Sequence, residues 1–446
     1  MFYDIPEKLA ELAHIFKQNG YSLFLVGGAV RDYVLGRKNH DYDFTTDAEP
    51  NEVKEMFKRT IDTGIKHGTV TVLFKGSSYE ITTFRTEGNY TDNRHPDCVK
   101  FVKNLDEDLK RRDFTINALA ADLFTGEIID QHNGLDDLDK KKIRAIGNPV
   151  ERFSEDALRM LRACRFSSKL DFDIEQSTLD AIAKLHKNVL DVSAERIKEE
   201  FFKLIDGTNP IKALEYMRST GLMETLFPEI HNTIGVEQGG FHNEDVYTHL
   251  LLALKRANEM DYPLEVKMAA LLHDVGKPST RAEGKDRYTF YSHEIASEKI
   301  VLEILTRLKA SNKEKEDISH LVREHMFSYT PDWSDAAIRR FINRVGVDYL
   351  DRLYMLRDAD FAATTGDCPD SSERLEELKR RISKELNQNN AKSIKDLKIN
   401  GNDLMQLGIP KGKEIGKTLS YLLERVIEQP ELNTKERLAS LVRSKK

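Results

Sequence analysis

Asp41 and Asp43 stand two residues apart in the stretch HDYDFTT, residues 40–46. The surrounding aromatic and β-branched residues predict a strand, and on a strand residues i and i+2 project from the same face. Two adjacent carboxylates repel, and one resists ionising unless a cation sits between them. Oxygen ligands of this kind suit Mg²⁺, which is held by one or two carboxylates together with substrate phosphates. An Asp-rich strand end with Asx turns would carry the same pair, so the spacing alone leaves both readings open. The neighbours favour the metal. Upstream, VGGAVRD (26–32) reads as a strand, a glycine turn and a helix start. Gly27 and Gly28 let backbone N–H groups approach a phosphate, and Arg31 in the first helical turn could clamp one. Glycine turn, arginine and carboxylates fall within seventeen residues and make a cradle for a triphosphate and its metal. It is not a P-loop, because no G-K-[ST] follows the glycines.

A second concentration of charge lies in SEDALRMLRACRF (154–166), whose apolar periodicity predicts one continuous helix. Asp156 and Arg159 are then i, i+3 neighbours, and Arg162 and Arg165 follow at further steps of three. A solvated, ion-paired face is the plain alternative. Against it, Leu158, Leu161 and Phe166 mark a buried side, and three arginines exceed what one aspartate can pair. In KRRDFTINA (110–118), Arg111, Arg112 and Asp113 precede Phe114 and Ile116, which alternate like a strand entering a core.

The elements that position these residues divide the chain. At 446 residues it exceeds one compact core and predicts two to four domains. Residues 1–150 read as α+β. An amphipathic helix covers 6–17, strands 22–28 and 41–46, a helix 51–57 and a hairpin 69–85 around Lys-Gly-Ser-Ser. From 151 the pattern is almost wholly helical: a neck over 151–235, a Gly-rich break at 235–245, a body over 236–366 and a tail over 367–446. Composition is 39% hydrophobic and 32% charged, which excludes a disordered or membrane chain. No apolar run reaches a spanning length, and MFYDIPEKLAEL lacks the regions of a signal peptide. Three cysteines, odd in number and far apart, suggest neither a disulfide framework nor a cysteine zinc site, and a cytoplasmic home is expected. Net charge is −7, yet residues 391–446 carry 12 Lys and Arg against 7 Asp and Glu. A basic tail on an acidic body is either a local polyanion contact or a solvated helical end.

Taken together, LFLVGGAVRDYVLGRKNHDYDFTT resembles the signature of class II tRNA nucleotidyltransferases and bacterial poly(A) polymerases, within the DNA polymerase β-like superfamily. EITTFRTEGNYTDNRHP (80–96), EDLKRRDFTINALA (107–120) and RFSEDALRMLRACRF (152–166) follow in that family's order, and 399–438 resembles the C-terminal domain of CCA-adding enzymes. The resemblance implies a polymerase β-like head with a mixed sheet, then helical neck, body and tail. It implies addition of C, C and A to a tRNA 3′ end from CTP and ATP, with Mg²⁺ on Asp41 and Asp43 and a third carboxylate, for which Glu80 is the candidate. It places Arg112 on the triphosphate and makes Asp156 and Arg159 a protein template for the incoming base, with Arg162 and Arg165 holding phosphate or buttressing the site. Asp92 and Arg94 fall in the family's flexible loop, whose intact length favours CCA or A addition over CC addition. A dedicated A-adding enzyme and a poly(A) polymerase remain alternatives.

The body resembles an HD phosphohydrolase domain, through His249, the LLHDVGK motif with His273 and Asp274, then His293, His325 and Asp360. Asp358 competes with Asp360 for the last position. The resemblance implies a second divalent-metal site, one that hydrolyses cyclic or terminal phosphates or survives as a structural remnant.

Overall fold

A computed structural model of the chain describes residues 1–38, 42–87, 99–239, 242–284, 288–364, 371–388, 391 and 393–444. The fold is α+β, in two compact units: residues 1–231 with 306–310, and residues 232–305 with 311–446.

The first unit opens with α1 (Glu7–Gln18), which buries Leu9, Leu12, Ala13 and Phe16 on one face. There follow β1 (Leu23–Val26), α2 (Gly28–Val34), β2 (Asp43–Thr46), α3 (Pro50–Met56), β3 (Thr60–Gly64), β4 (Thr69–Phe74) and β5 (Ser77–Thr83). The expected hairpin is β4–β5, turned by Lys75 and Gly76, both at positive φ. A small pair, β6 (Arg85–Glu87) with β7 (Val99–Phe101), precedes α4 (Leu105–Lys110), β8 (Leu119–Asp122), β9 (Ile128–Asp130) and α5 (Gly134–Asp139). The main sheet has seven strands in the order β3-β4-β5-β2-β1-β8-β9. Only β2 and β5 pair in parallel within it, and their register sets Asp43 opposite Glu80. On its other edge Asp43 faces Val26, the last residue of β1, so the carboxylate sits beside the glycine turn. Phe44, Leu25 and Ile81 are fully buried beneath these strand ends.

After β10 (Lys142–Ile143) come α6 (Pro149–Glu155), α7 (Leu158–Leu170), β11 (Asp173–Ile174), α8 (Gln176–Leu185), α9 (Ala194–Ile205), α10 (Pro210–Ser219), α11 (Leu222–Leu226) and α12 (Pro228–His231). The single helix expected over 154–166 is instead two. Asp156 and Ala157 lie between α6 and α7, and the Asp156 carboxylate accepts from the Leu158 N–H, capping the second helix. Asp156 is therefore in extended backbone rather than one turn below Arg159 on a helix.

The second unit is mostly helical. The Gly-rich stretch expected to be a break forms instead two short paired strands, β12 (Glu237–Gly239) and β13 (His242–Asp245). Next come α13 (Val246–Glu259), α14 (Leu264–Leu272), α15 (Lys277–Thr280), a strand pair β14 (Ala282–Glu283) and β15 (Tyr288–Thr289), α16 (His293–Arg307), α17 (Asn312–Glu324), α18 (Asp335–Val345) and α19 (Leu350–Ala362). Then α20 (Ser371–Asn387), α21 (Gly401–Gln406), α22 (Lys413–Glu428) and α23 (Lys435–Ser444) complete the unit. Leu404, Leu422, Val426 and Leu438 gather into a core of the last helices' own, and Lys395, Lys398, Lys411 and Lys413 stay exposed around it. Among the described residues no helix is long and apolar enough to cross a membrane.

Candidate active site and metal centre

Asp43, the first residue of β2, and Glu80, in the middle of β5, are both exposed and stand opposite each other in the parallel register, the arrangement two carboxylates need to share a cation. Asp41, Asp92 and Arg94 lie outside the described residues. Gly27 carries φ +71°, and a Cβ there would come within 3.2 Å of Arg112 Nη1, so the Arg112 guanidinium rests against the bare glycine backbone. Arg112 also feels the Asp43 charge. Its Nη2 lies 3.4 Å from Asp108 Oδ2, and its buried Nε has no hydrogen-bond partner among the described residues. Glycine turn, a partly satisfied cation and two carboxylates thus meet over the three central strands of the sheet.

Asp108 escaped the sequence reading and organises this corner. It is fully buried and accepts from the Arg85 N–H, Thr45 Oγ1 and Arg111 Nε, at 3.3, 3.3 and 2.9 Å. Burial works against its ionisation, but Arg111 and Arg112 overcome that and hold the carboxyl below its ordinary range. Its spacing of three and four residues to the two arginines was the available signal.

Arg31 is placed differently from a phosphate clamp. It is 2% exposed, donates to Asp32 and to Asn117 Oδ1 at 2.8 and 2.7 Å, and so ties α2 to the turn 115–117. That turn is held from behind by Asp137, which accepts from Thr115 Oγ1 at 2.7 Å. The close approach requires Gly134, where a Cβ would meet the Thr115 carbonyl at 2.4 Å.

From Asn117 a chain of charged groups runs to the helices. Asn117 Nδ2 donates to Asp113 Oδ1 at 3.0 Å, and Asp113 Oδ2 accepts Arg162 Nε and Nη2 at 2.9 and 2.6 Å. Arg162 Nη1 and Arg165 Nε then converge on Glu200 of α9, at 3.3 and 2.8 Å. Arg165 also lies over the Phe166 ring at 3.7 Å. Burial alone would raise the Asp113 pKa, yet Arg162 dominates and brings it to about 2. Arg162 and Arg165 are thus engaged as buttresses.

Asp156 accepts Arg196 Nη2 at 2.7 Å, and Arg159 Nη1 donates to Glu155 at 2.7 Å and to the Arg152 carbonyl at 3.1 Å. Arg159 Nη2 reaches the Arg111 carbonyl at 3.1 Å, joining this helix start to the basic run beside Asp108. Glu200 and Arg196 also escaped the sequence reading. The signal for Glu200 was a carboxylate on the buried face of α9, between Ile197 and Phe201.

In the second unit all six residues expected to form the HD centre converge. His249 Nε2 lies 3.1 Å from His273 Nε2, and His293 Nε2 lies 3.3 Å from His325 Nε2. Asp360 Oδ1 is 3.2 Å from His249 Nε2, Asp274 Oδ2 is 3.3 Å from His273 Nε2, and Asp274 Oδ1 is 3.1 Å from His293 Nε2. Asp274 therefore stands between two groups of imidazoles. Asp358 is committed elsewhere, to Arg256 and Tyr262, which leaves Asp360 for the centre.

The donor set fits a cation. His273, His293 and His325 each turn Nδ1 to the carbonyl three residues earlier, at 2.9, 2.7 and 2.6 Å, which assigns the proton to Nδ1. The Nε2 lone pairs then face each other and the carboxylates, and Asp274 Oδ1 is left buried without a donor among the described residues. Only a proton or a metal relieves that repulsion. Without a metal, burial lowers His273 but Asp274 and Asp360 outweigh it and push its pKa up to about 10. Lys277 braces Asp274 Oδ2 from outside at 2.5 Å and is itself held by Gln238 at 2.6 Å.

The sheet order and the carboxylates paired across β2 and β5 beside a glycine turn define a nucleotidyltransferase head. Residues 23–144 match the poly(A) polymerase head domain family, 171–234 the family described as "Probable RNA and SrmB- binding site of polymerase A", and 285–442 tRNA nucleotidyltransferase domain 2. Across 98% of this chain and 97% of the other, the fold matches the Bacillus stearothermophilus CCA-adding enzyme in complex with CTP, at 30% identity and TM-score 0.69. The chain belongs to the CCA-adding enzyme family. The Lactobacillus helveticus CCA-adding enzyme is 53% identical over 221 residues, covering 50% of this chain and 55% of that protein. The Enterococcus faecalis enzyme is 54% identical over 208 residues, 46% of this chain and 51% of that one. The matches span about half the length of these curated relatives. The Thermotoga maritima CCA-adding enzyme complexed with tRNA shares the fold, at 21% identity and TM-score 0.54 over 98% of this chain and 94% of that one.

Proposed function

We propose that the chain adds C, C and A, without a nucleic-acid template, to the 3′ end of tRNA in the cytoplasm, using CTP and ATP. The observation that carries this reading is the Asp43–Glu80 register beside Arg112 and the Gly27 turn. Divalent ions, Mg²⁺ in this reading, held by Asp43, Glu80 and Asp41, supply activation of the primer hydroxyl and neutralisation of the leaving pyrophosphate. Arg112 and the Gly27 backbone hold the triphosphate. Asp156 accepts from the exocyclic amino group that C and A both carry, and Arg159 donates to ring nitrogen or carbonyl acceptors. Base binding exchanges their present partners, Arg196 and Glu155. Uracil and guanine lack the amino group at that position and leave the acceptor unpaired, at about 1–3 kcal/mol, roughly ten- to hundredfold in selection. The exposed lysines of the tail supply an electrostatic contact for the tRNA backbone. Asp43→Asn tests the site: nucleotide transfer is lost while tRNA binding is retained, and retained turnover contradicts the assignment.

The converging Nε2 atoms favour a second activity in the same chain. In this reading His249, His273, Asp274 and Asp360 hold one transition-metal ion, and Asp274, His293 and His325 a second, for phosphoester hydrolysis. Hydrolysis of a 2′,3′-cyclic phosphate that His273→Ala removes, with nucleotide addition intact, tests it.

A further inference from the structure

Asp274 serves both groups of imidazoles, so the rotation of its carboxyl decides whether either group is complete. Its Oδ2 lies 3.3 Å from His273 Nε2 and 3.5 Å from His249 Nε2, and its Oδ1 lies 3.1 Å from His293 Nε2 and 3.6 Å from His325 Nε2. The last torsion of an aspartate is broad and soft. A turn about it carries one oxygen away from each group at once. The Nε2 atoms of His273, His293 and His325 face the carboxylate as acceptors, because their protons sit on Nδ1, and so do not hold it. Lys277 does, donating to Oδ2 at 2.5 Å.

Lys277 is held in its turn. Its ammonium also donates to Gln238 Oε1 at 2.6 Å, and Gln238 Nε2 donates to the Glu244 carbonyl at 3.3 Å. Gln238, Lys277 and Asp274 are all buried. Gln238 and Glu244 lie on the paired strands β12 and β13, the Gly-rich stretch that the transfer site leaves without a role. Asp245, which ends β13, accepts from the Gly235 and Thr248 N–H groups at 2.6 and 2.8 Å and caps α13 one turn before His249. The hairpin therefore grips two segments that carry metal ligands: α13 with His249, and the turn from Asp274 to Lys277. Neutralising a buried aspartate would need Lys277 alone; the amide of Gln238 adds a fixed direction. We propose that Gln238 is a positioning residue for the metal centre, acting through Lys277 to fix the Asp274 carboxyl with one oxygen toward each cation position. This role rests on the metal-centre reading above and deepens it.

The test measures the Zn²⁺ affinity of the full-length protein by competition with a chromophoric chelator, with Mg²⁺ in excess to occupy the oxygen ligands of the head. His273→Ala identifies the part of the signal that belongs to the centre. Each variant is titrated below its own metal-free melting midpoint, so that loss of fold is not read as loss of affinity. Lys277→Met is expected to weaken Zn²⁺ binding about ten- to hundredfold, the effect of removing a partner of a metal ligand, and Gln238→Leu roughly tenfold. The double variant binds as Lys277→Met does, because Gln238 acts through Lys277; a general loosening of the hairpin would add the two losses instead. Equal affinity in Gln238→Leu and the unchanged protein overturns the proposal. So do additive losses in the double variant, or tighter binding by Lys277→Met, which a merely competing charge would give. If the unchanged protein binds no Zn²⁺ that His273→Ala removes, the metal-centre reading itself falls, and the role of Gln238 with it; the two failures are thus distinct.

Discussion

Glu200→Ala probes the buried chain that joins the helices to the head. Glu200 is 8% exposed on its side chain, Arg165 11% and Arg162 30%. The carboxylate accepts from both arginines, and its removal leaves two cations side by side, with Asp113 still held by Arg162. Removing one partner of a buried ion pair costs about 3–5 kcal/mol. Arg162 keeps Asp113 and is partly solvated, so the lower end applies, about 3 kcal/mol. For a unit of this size that is a fall of roughly 6–12 °C in the unfolding midpoint of the first unit, followed by circular dichroism. Glu200→Gln keeps the shape and one acceptor and loses about half as much. Addition also slows, because Arg162 positions Asp113, Asp113 holds Asn117, and Asn117 in turn accepts from Arg31 at the start of the helix after the glycine turn. A change in stability within about 0.5 kcal/mol for Glu200→Ala, the range of an ordinary surface substitution, refutes the reasoning.

Gly27→Ala combines a disfavoured positive φ, roughly 1–2 kcal/mol, with a contact that displaces Arg112; KM for the nucleotide rises more than stability falls, as paired kinetics and melting would measure. Arg159→Ala relaxes the choice between correct and incorrect nucleotides by about tenfold or more, read from competing labelled triphosphates. Asp113, depressed to about 2 in the folded protein against an ordinary value near 4, stabilises the fold above about pH 4 and loses that contribution as pH falls through about 2. The loss is about 2.5 kcal/mol, and acid unfolding of Asp113→Asn lacks it. Chelation lowers the unfolding temperature of the second unit, and Zn²⁺ or Mn²⁺ restores it; a midpoint indifferent to both contradicts the metal centre.

What was legible in the sequence was local. The period-two pattern and the Lys75-Gly76 turn place Glu80 on a strand that can lie beside Asp43, and the LLHDVGK motif marks the candidate metal centre by residue type. Non-local pairing was not legible. Arg162 meets Asp113 across 49 residues and Glu200 across 38, and no spacing rule reaches that far. The break at Asp156 was hidden because apolar periodicity runs on through it, while a capping bond and the Arg196 ion pair end one helix and begin another. Likewise the Gly-rich stretch at 235–245 reads as a loop by composition, but it forms paired strands and turns Gln238 onto Lys277. The histidines could be named from sequence; the direction of their lone pairs emerged only with the carbonyls that receive their Nδ1 protons.

The most direct test offers the protein three tRNAs, ending before CCA, after C and after CC, with each labelled triphosphate supplied singly. The account predicts C from CTP on the first two, A from ATP on the third, and nothing from UTP or GTP. Addition of A to the CC end alone, or runs of A on any end, would contradict it.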